Sequence, residues 1–197
     1  MSSSKHLVSC ASLLLTVNAF ADTSGVPDGT YEVDPQHGYI LFSYSHFGLS
    51  NPSVGFNKFD ATLELDSANP EKSAITVAID ANSIDSRVPV FDDHLRDEQF
   101  FNTKQFPGIT FEATSIEAKG DSKYAITGDL TMKGITKPIT LDASIVAKMH
   151  PFKRVPAVGV SATGKLLRSD WDLGAYAPSV SDEVTLTIEV EILKDEE

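Results

Sequence analysis

Histidines have the widest chemical range in this sequence, because an imidazole can exchange hydrogen bonds, transfer a proton or bind a metal. Four follow residue 21: His37, His46, His94 and His150. No two of them have a metal-ligand spacing such as H-x-x-x-H, and no cysteine lies in this part of the sequence, so we predict no metal site. His46 ends an aromatic row, and we expect it to contact either a ligand head group or a structural hydrogen-bond partner.

Other patterns that could indicate catalysis are either absent or lie in an unsuitable structural context. Gly159 to Lys165 has the glycine and lysine spacing of a phosphate loop, but Leu166 replaces the Ser/Thr and the segment lies in a strand pattern. The sequence holds no G-x-S-x-G elbow. The charged cluster Asp92, Asp93, Arg96 and Asp97 is typical of the solvated face of a short helix. We therefore predict no catalytic residues.

The stretch Gly38–Phe59 is the best candidate for a binding site. Side chains alternate faces along a strand, so one face would carry Ile40, Phe42, Tyr44 and His46. A turn then leads into a second strand with Phe56. An apolar wall with a polar tip suits a long apolar ligand that has a small head group.

Alternating apolar and polar residues recur along the whole chain and predict about eight or nine strands. Each strand has one apolar face, which either a sandwich or a closed barrel would bury, and a closed barrel of eight strands has room inside for side chains or one ligand. The predicted strands are Tyr31–Asp34 (ended by Pro35), Ile40–His46, Ala61–Asp66, Ala74–Asp80, Ile109–Thr114, Tyr124–Met132, Ile139–Ile145, Val158–Leu166 and Val184–Leu193.

One segment, from Ile84 to Phe106, breaks the strand pattern. Phe91 and Leu95 are four residues apart, which predicts a helix of two turns near Asp92–Gln99. Further phenylalanines follow, including Phe101, so the segment is strongly apolar. We expect it to plug one end of the sheet assembly, and it could also act as a lid over a ligand entrance.

The ends and the charge of the chain restrict its location and partners. Residues 1–21 read as a secretory signal peptide, with Lys5, the apolar run Leu7–Val17 and the cleavage site Ala19-Phe20-Ala21. The alternative, a lipoprotein box ending at Cys10, is disfavoured because the apolar run continues past that cysteine. Residues 22–197 then form a single domain in the periplasm. The net charge of −12 argues against nucleic acid and against anchoring on an anionic membrane.

From about Thr30 to Leu193 the sequence resembles the YceI-like family of secreted bacterial polyisoprenoid-binding proteins. The matching motifs are Tyr31-Glu32-Val33-Asp34-Pro35-Gln36-His37, His46-Phe47-Gly48, Asp93-His94-Leu95-Arg96, Phe106-Pro107-Gly108-Ile109-Thr110-Phe111, Gly128-Asp129-Leu130-Thr131-Met132-Lys133-Gly134-Ile135-Thr136-Lys137-Pro138 and Arg168-Ser169-Asp170-Trp171-Asp172-Leu173-Gly174. The resemblance implies an all-β, antiparallel, lipocalin-like closed barrel that holds an isoprenoid chain, and no catalytic residues. Gly38 and Trp171-Asp172 depart from the family pattern, and a tryptophan near the wall could shorten the cavity.

We expect the protein to bind and carry an isoprenoid or other long-chain lipid, with no cofactor unless the ligand is itself an isoprenoid quinone. No nucleic acid and no stable membrane anchor are expected, and a homodimer stays open. Two alternatives are a lipid-modifying enzyme that uses His46 with a nearby carboxylate, and a stress-related interaction protein with a filled barrel. The predicted ligand-binding residues are Ile40, Phe42, Tyr44, His46, Phe56, Phe91, Leu95, Phe101, Phe111, Leu130, Leu141, Val160 and Trp171.

Overall fold

The computed structural model describes residue 23 and residues 25–194. The predicted signal peptide lies outside the described residues. In the described part, ten strands and one α-helix follow one another: β1 Gly29–Ser43, β2 Ser53–Phe56, β3 Phe59–Leu65, β4 Ala74–Asp80, β5 Ile84–Asp85, α1 Pro89–Arg96, β6 Gly108–Gly120, β7 Lys123–Met132, β8 Ile135–Met149, β9 Pro156–Leu167 and β10 Glu183–Lys194. Within these residues, no helix is both long enough and apolar enough to cross a membrane.

Eight of these strands close into an antiparallel barrel, which confirms the predicted fold. Neighbouring strands pair in the order β10-β9-β8-β7-β6-β4-β3-β1, and β1 pairs again with β10 to close the ring. The two additional strands, β2 and β5, extend the sheet beside the second half of β1. Closure leaves the eight strands with one face toward the interior, where alternate side chains form the core.

The predicted break at Pro35 is wrong, because β1 runs through it as one strand of 15 residues. Its pairing with β10 shifts register between Val33 and Gly38. Proline has no N–H to donate, and a bulge leaves residues out of the ladder, so the irregularity accommodates it. At the end of the bulge, a Cβ on Gly38 would lie 2.7 Å from Cζ of Phe59, which explains the absence of a side chain there.

Several strands extend well beyond the apolar rows that predicted them. The strand predicted at Ile109–Thr114 is β6, which continues to Gly120, and β8 has 15 residues. Apolar periodicity reports only the part of a strand that faces a core, whereas cross-strand hydrogen bonds continue into exposed ends.

Helix α1 begins and ends three residues before its predicted bounds. Pro89 occupies its first turn, where the missing N–H costs nothing. The interpretation of the charged cluster as a solvated face is wrong in part. Asp92 is buried, and its carboxylate accepts hydrogen bonds from the backbone N–H and the hydroxyl of Ser86. Arg96 donates to the carbonyl oxygens of Asn82 and Ile84, so it fixes the helix to the sheet.

Candidate binding cavity

The barrel encloses a cavity of about 430 Å³, which lies in the range of small-molecule sites. Every second residue of β10 faces into it: Val184, Leu186, Ile188, Val190 and Ile192. Eight residue steps separate the first from the last, or about 27 Å along the strand. Barrel strands tilt by 35–45°, so the cavity extends for about 20 Å along the barrel axis. The predicted alternative of a barrel filled by its own side chains does not fit this interior.

The far end of the cavity is closed by a small apolar cluster. Tyr31 is fully buried there and packs with Val26, Leu63, Val158 and Ile192. The Tyr31 hydroxyl donates to the carbonyl oxygen of Pro27 at 2.6 Å, which ties the segment before β1 to this end. The cavity is therefore blind on this side.

The opposite end is open between Phe47 and Tyr176. Both line the cavity, yet they are 58% and 57% exposed, so they mark its opening. We call this region the open end. The ring of Tyr176 stacks on Phe100 at a centroid distance of 6.3 Å, and its hydroxyl donates to Oε1 of Gln99. The segment after α1 thus contacts the loop after β9 across the opening.

The segment predicted to plug or cover the barrel lies over this end. Phe91 and Leu95 of α1 line the cavity, as do Phe100 and Phe101 after the helix. Phe101 packs edge-on against Phe56 at 5.6 Å and contacts Phe42 at 6.1 Å. These aromatic contacts place the segment at the open end of the cavity.

Polar side chains line the cavity only at the open end. Among the described residues they are Tyr44, His46, His94, Arg168 and Tyr176, and all other lining residues are apolar. The first two follow β1, Arg168 follows β9, and these two strand ends lie on the same side of the barrel. An amphiphile would therefore place its chain at depth and its head group near the opening.

Arg168 is the cation of the cavity wall, and sequence reasoning missed it. Its guanidinium donates to the carbonyl oxygens of Leu173, Ser181 (2.7 Å), Ala175 (2.9 Å) and Val180 (2.9 Å). No described carboxylate forms an ion pair with it. These four bonds use four of its five N–H groups, so one N–H group of Nη1 is left for an anionic or carbonyl head group.

Burial also shifts the proton equilibria of the open end. It raises the pKa of the Tyr44 phenol, and the Arg168 cation opposes that change. Burial lowers the pKa of Arg168, while the negative charges of Asp182 and of ionised Tyr44 oppose this shift. Near neutral pH Tyr44 is therefore a neutral hydrogen-bonding group beside a cation.

His46 lies at the rim, where its backbone is fixed and its ring is exposed. Its N–H donates to the carbonyl oxygen of Ser50 at 2.9 Å, and it forms a bridge with Val180, whose carbonyl also binds Arg168. The imidazole lies edge-on to Phe47 at 4.4 Å and makes no hydrogen bond to any described residue. Its nitrogens can thus reach a head group. The acid/base pair that the enzyme alternative requires is not formed, since no described carboxylate pairs with this ring.

Trp171 is the one predicted binding residue that does not line the cavity. It lies in the turn Arg168–Trp171 and is buried in the main apolar core cluster, and its indole N–H donates to the carbonyl oxygen of Leu130 at 3.1 Å. The tryptophan is therefore not part of the cavity wall. The other predicted residues all line it: Ile40, Phe42, Tyr44, His46, Phe56, Phe91, Leu95, Phe101, Phe111, Leu130, Leu141 and Val160.

The YceI-like domain model matches residues 31–192, which is most of the chain. The chain belongs to the YceI-like family. Protein YceI of Salmonella arizonae is 35% identical over 183 residues, and the match covers 92% of both chains. Protein YceI of Salmonella enteritidis matches to the same extent.

Solved structures share the barrel. The YCEI protein of Campylobacter jejuni is 31% identical with a TM-score of 0.70, covering 77% of this chain and 90% of that one. BcnA of Burkholderia cenocepacia has a TM-score of 0.74 at 23% identity and covers 81% and 98%. A polyisoprenoid binding domain from Saccharophagus degradans, implicated in plant cell wall breakdown, has a TM-score of 0.66 at 13% identity and covers 86% and 100%. The last two show the fold alone.

Proposed function

We propose that this protein binds and carries a long amphiphilic lipid, such as a polyisoprenoid or an isoprenoid quinone, in the periplasm. The observation that carries the proposal is a blind apolar cavity whose polar side chains all lie at its one open end. The chain of the ligand would extend toward Tyr31, and its head group would stay near His46, Tyr44 and Arg168. Family membership and the Saccharophagus domain described as polyisoprenoid binding support a lipid ligand.

Apolar burial supplies the affinity in this proposal. Each methylene that leaves water contributes about 0.8 kcal/mol, so about ten buried methylenes contribute roughly 8 kcal/mol before the cost of ordering the chain. Such contacts are non-directional, so the cavity would select chain length and width more than chemical detail. The rim would then select the head group through hydrogen bonds and the Arg168 charge.

The test is extraction of the protein after it is expressed with its own N-terminal segment and recovered from the periplasmic fraction. Solvent extraction and mass spectrometry should release a stoichiometric lipid with an apolar chain. Protein stripped of lipid should then take up prenyl phosphates or quinones in a fluorescence competition assay. Protein that is empty on extraction and also takes up neither ligand would refute the proposal.

A further inference from the structure

A second cluster of functional groups lies outside the cavity, at the bulge of β1. Asp34 and His37 belong to the bulge, and Glu191 lies opposite on β10. One potential ligand atom from each of the three lies within 4.8 Å of the other two. Glu191 follows Val190 and precedes Ile192, which both face the cavity, so the cluster is on the outer side of the wall. The lipid site and this cluster share no residue.

The bulge is what brings the two β1 side chains together. In regular β structure, residues three apart point to opposite faces, whereas here Nδ1 of His37 is 2.9 Å from Oδ2 of Asp34. The Asp34 side chain is 2% exposed and is held by an N–H from Gln36 at 3.1 Å. Asp34 is thus a fixed ligand, while His37 and Glu191, 50% and 46% exposed, have room to adjust.

The charges of the cluster are unbalanced in a way that favours a divalent cation. Asp34 pairs with Lys153, whose ammonium is 2.7 Å from Oδ2, whereas Glu191 forms no ion pair with a lysine or arginine among the described residues. A divalent ion at that position would neutralise both carboxylates and release the ammonium to solvent, where 42% of the Lys153 side chain is already exposed. The ammonium and a metal ion would therefore compete for Oδ2 of Asp34.

A neighbouring histidine can hold Glu191 in place. Nδ1 of His150 accepts backbone N–H groups from Lys153 at 3.0 Å and Phe152 at 3.3 Å. The proton of the neutral ring is then on Nε2, which lies 3.7 Å from Oε2 of Glu191. At 3.7 Å this contact is not a hydrogen bond, so His150 would orient the Glu191 carboxylate only once the two side chains move closer.

We propose that Asp34, His37 and Glu191 bind a divalent transition-metal ion, with Zn²⁺ as the representative, in exchange for the Lys153 ammonium. Imidazole and carboxylate are both Zn²⁺ ligands at about 2.0–2.2 Å, and the exposed side chains move inward to reach that distance. Three protein ligands leave a fourth position for water.

The experiment titrates Zn²⁺ into untagged, chelator-treated full-length protein by calorimetry, with a chromophoric chelator as competitor. The expected result is one ion per chain. His37→Ala and Glu191→Gln should each weaken binding at least tenfold, and Lys153→Met should tighten it several-fold because it frees Oδ2 of Asp34. The matched control is Glu189→Gln, which removes an equal charge from the same outer face of β10 and should change the Kd less than twofold.

Three outcomes would overturn the proposal. They are the absence of one-to-one binding, equal losses for Glu189→Gln and Glu191→Gln, or no gain on Lys153→Met. Circular dichroism of each variant confirms the fold, and Asp34 is left intact because its loss would leave Lys153 and the bulge without their shared partner. Lipid uptake is measured in parallel and should not change with Zn²⁺, so the two sites are tested separately.

Discussion

Ala162 lies halfway along the cavity, so a large side chain there should divide the cavity in two. Ala162 is buried, lines the interior and pairs with Ile188, the middle residue of the β10 row. Four residue steps lead from Ile188 to Val184 at the open end, and four lead to Ile192 at the closed end. In Ala162→Phe, the ring would block the far half of the cavity.

The size of the affinity loss depends on how much of the ligand chain the new ring displaces from the cavity. For a ligand with about ten methylenes in the cavity, about five would be displaced, at about 0.8 kcal/mol each. The loss is then at most about 4 kcal/mol, or roughly a thousandfold in Kd. A ligand short enough to stay in the near half should bind almost as before.

The assay is a chain-length series of prenyl or alkyl ligands, measured by fluorescence displacement. In the wild-type protein the affinity should rise about fourfold per methylene to a plateau. In Ala162→Phe the affinity should stop rising at about half the ligand length at which it stops rising in the wild-type protein. The matched control is Thr163→Phe, which adds the same ring one residue away on the exposed face of β9. If the two variants weaken long ligands equally, or if Ala162→Phe folds normally and keeps the full series, the proposed ligand path is wrong.

Three further predictions concern the open end and its support. His46→Ala should weaken phosphate- or quinone-headed ligands by about 1–3 kcal/mol and leave apolar chains nearly unaffected; equal losses in competition binding would return His46 to a structural role. Trp171→Phe should lower the free energy of unfolding by about 1–3 kcal/mol in urea titrations, because the Leu130 carbonyl loses its hydrogen-bond donor. Ligand affinity should stay close to wild type, and a large loss of affinity would contradict the position of Trp171 outside the cavity wall. The Tyr44 phenol should ionise above pH 10, because burial favours its neutral form, and the ultraviolet difference between wild type and Tyr44→Phe measures this ionisation. Its contribution to stability is lost as the pH rises past that value. Ionisation near pH 10 would instead show that the ring is solvated.

Alternation along the strands predicted most of the cavity wall. Residues such as Phe42, Phe111 and Leu141 were assigned to the interior because side chains two apart share a face, and they line it. The strand Val184–Leu193 was also predicted, although none of its residues is among the predicted binding residues. Such predictions succeed because the period of a strand is local and survives in the sequence.

Residues outside regular strands were placed less well, for physical reasons. Trp171 lies in a tight turn, where no period dictates the direction of a side chain, and it packs into the apolar core without lining the cavity. Arg168 begins a motif of the family resemblance, but its role was missed because its partners are backbone carbonyls of a loop that returns to it. Asp92 was expected in solvent, but its partner Ser86 precedes the helix and draws the carboxylate inward.

The sequence by itself determined which side of each strand is apolar, since that depends only on neighbouring residues. The tertiary structure decided what the apolar faces enclose: pairing of β1 with β10 closes the ring, Tyr31 seals one end, and the loops around His46 and Arg168 shape the other. It also brought Glu191 to Asp34 and His37, which no spacing in the sequence predicts. The pairing of β1 with β10 and the approach of Glu191 to Asp34 join residues more than a hundred positions apart, and only strand register fixes such distances.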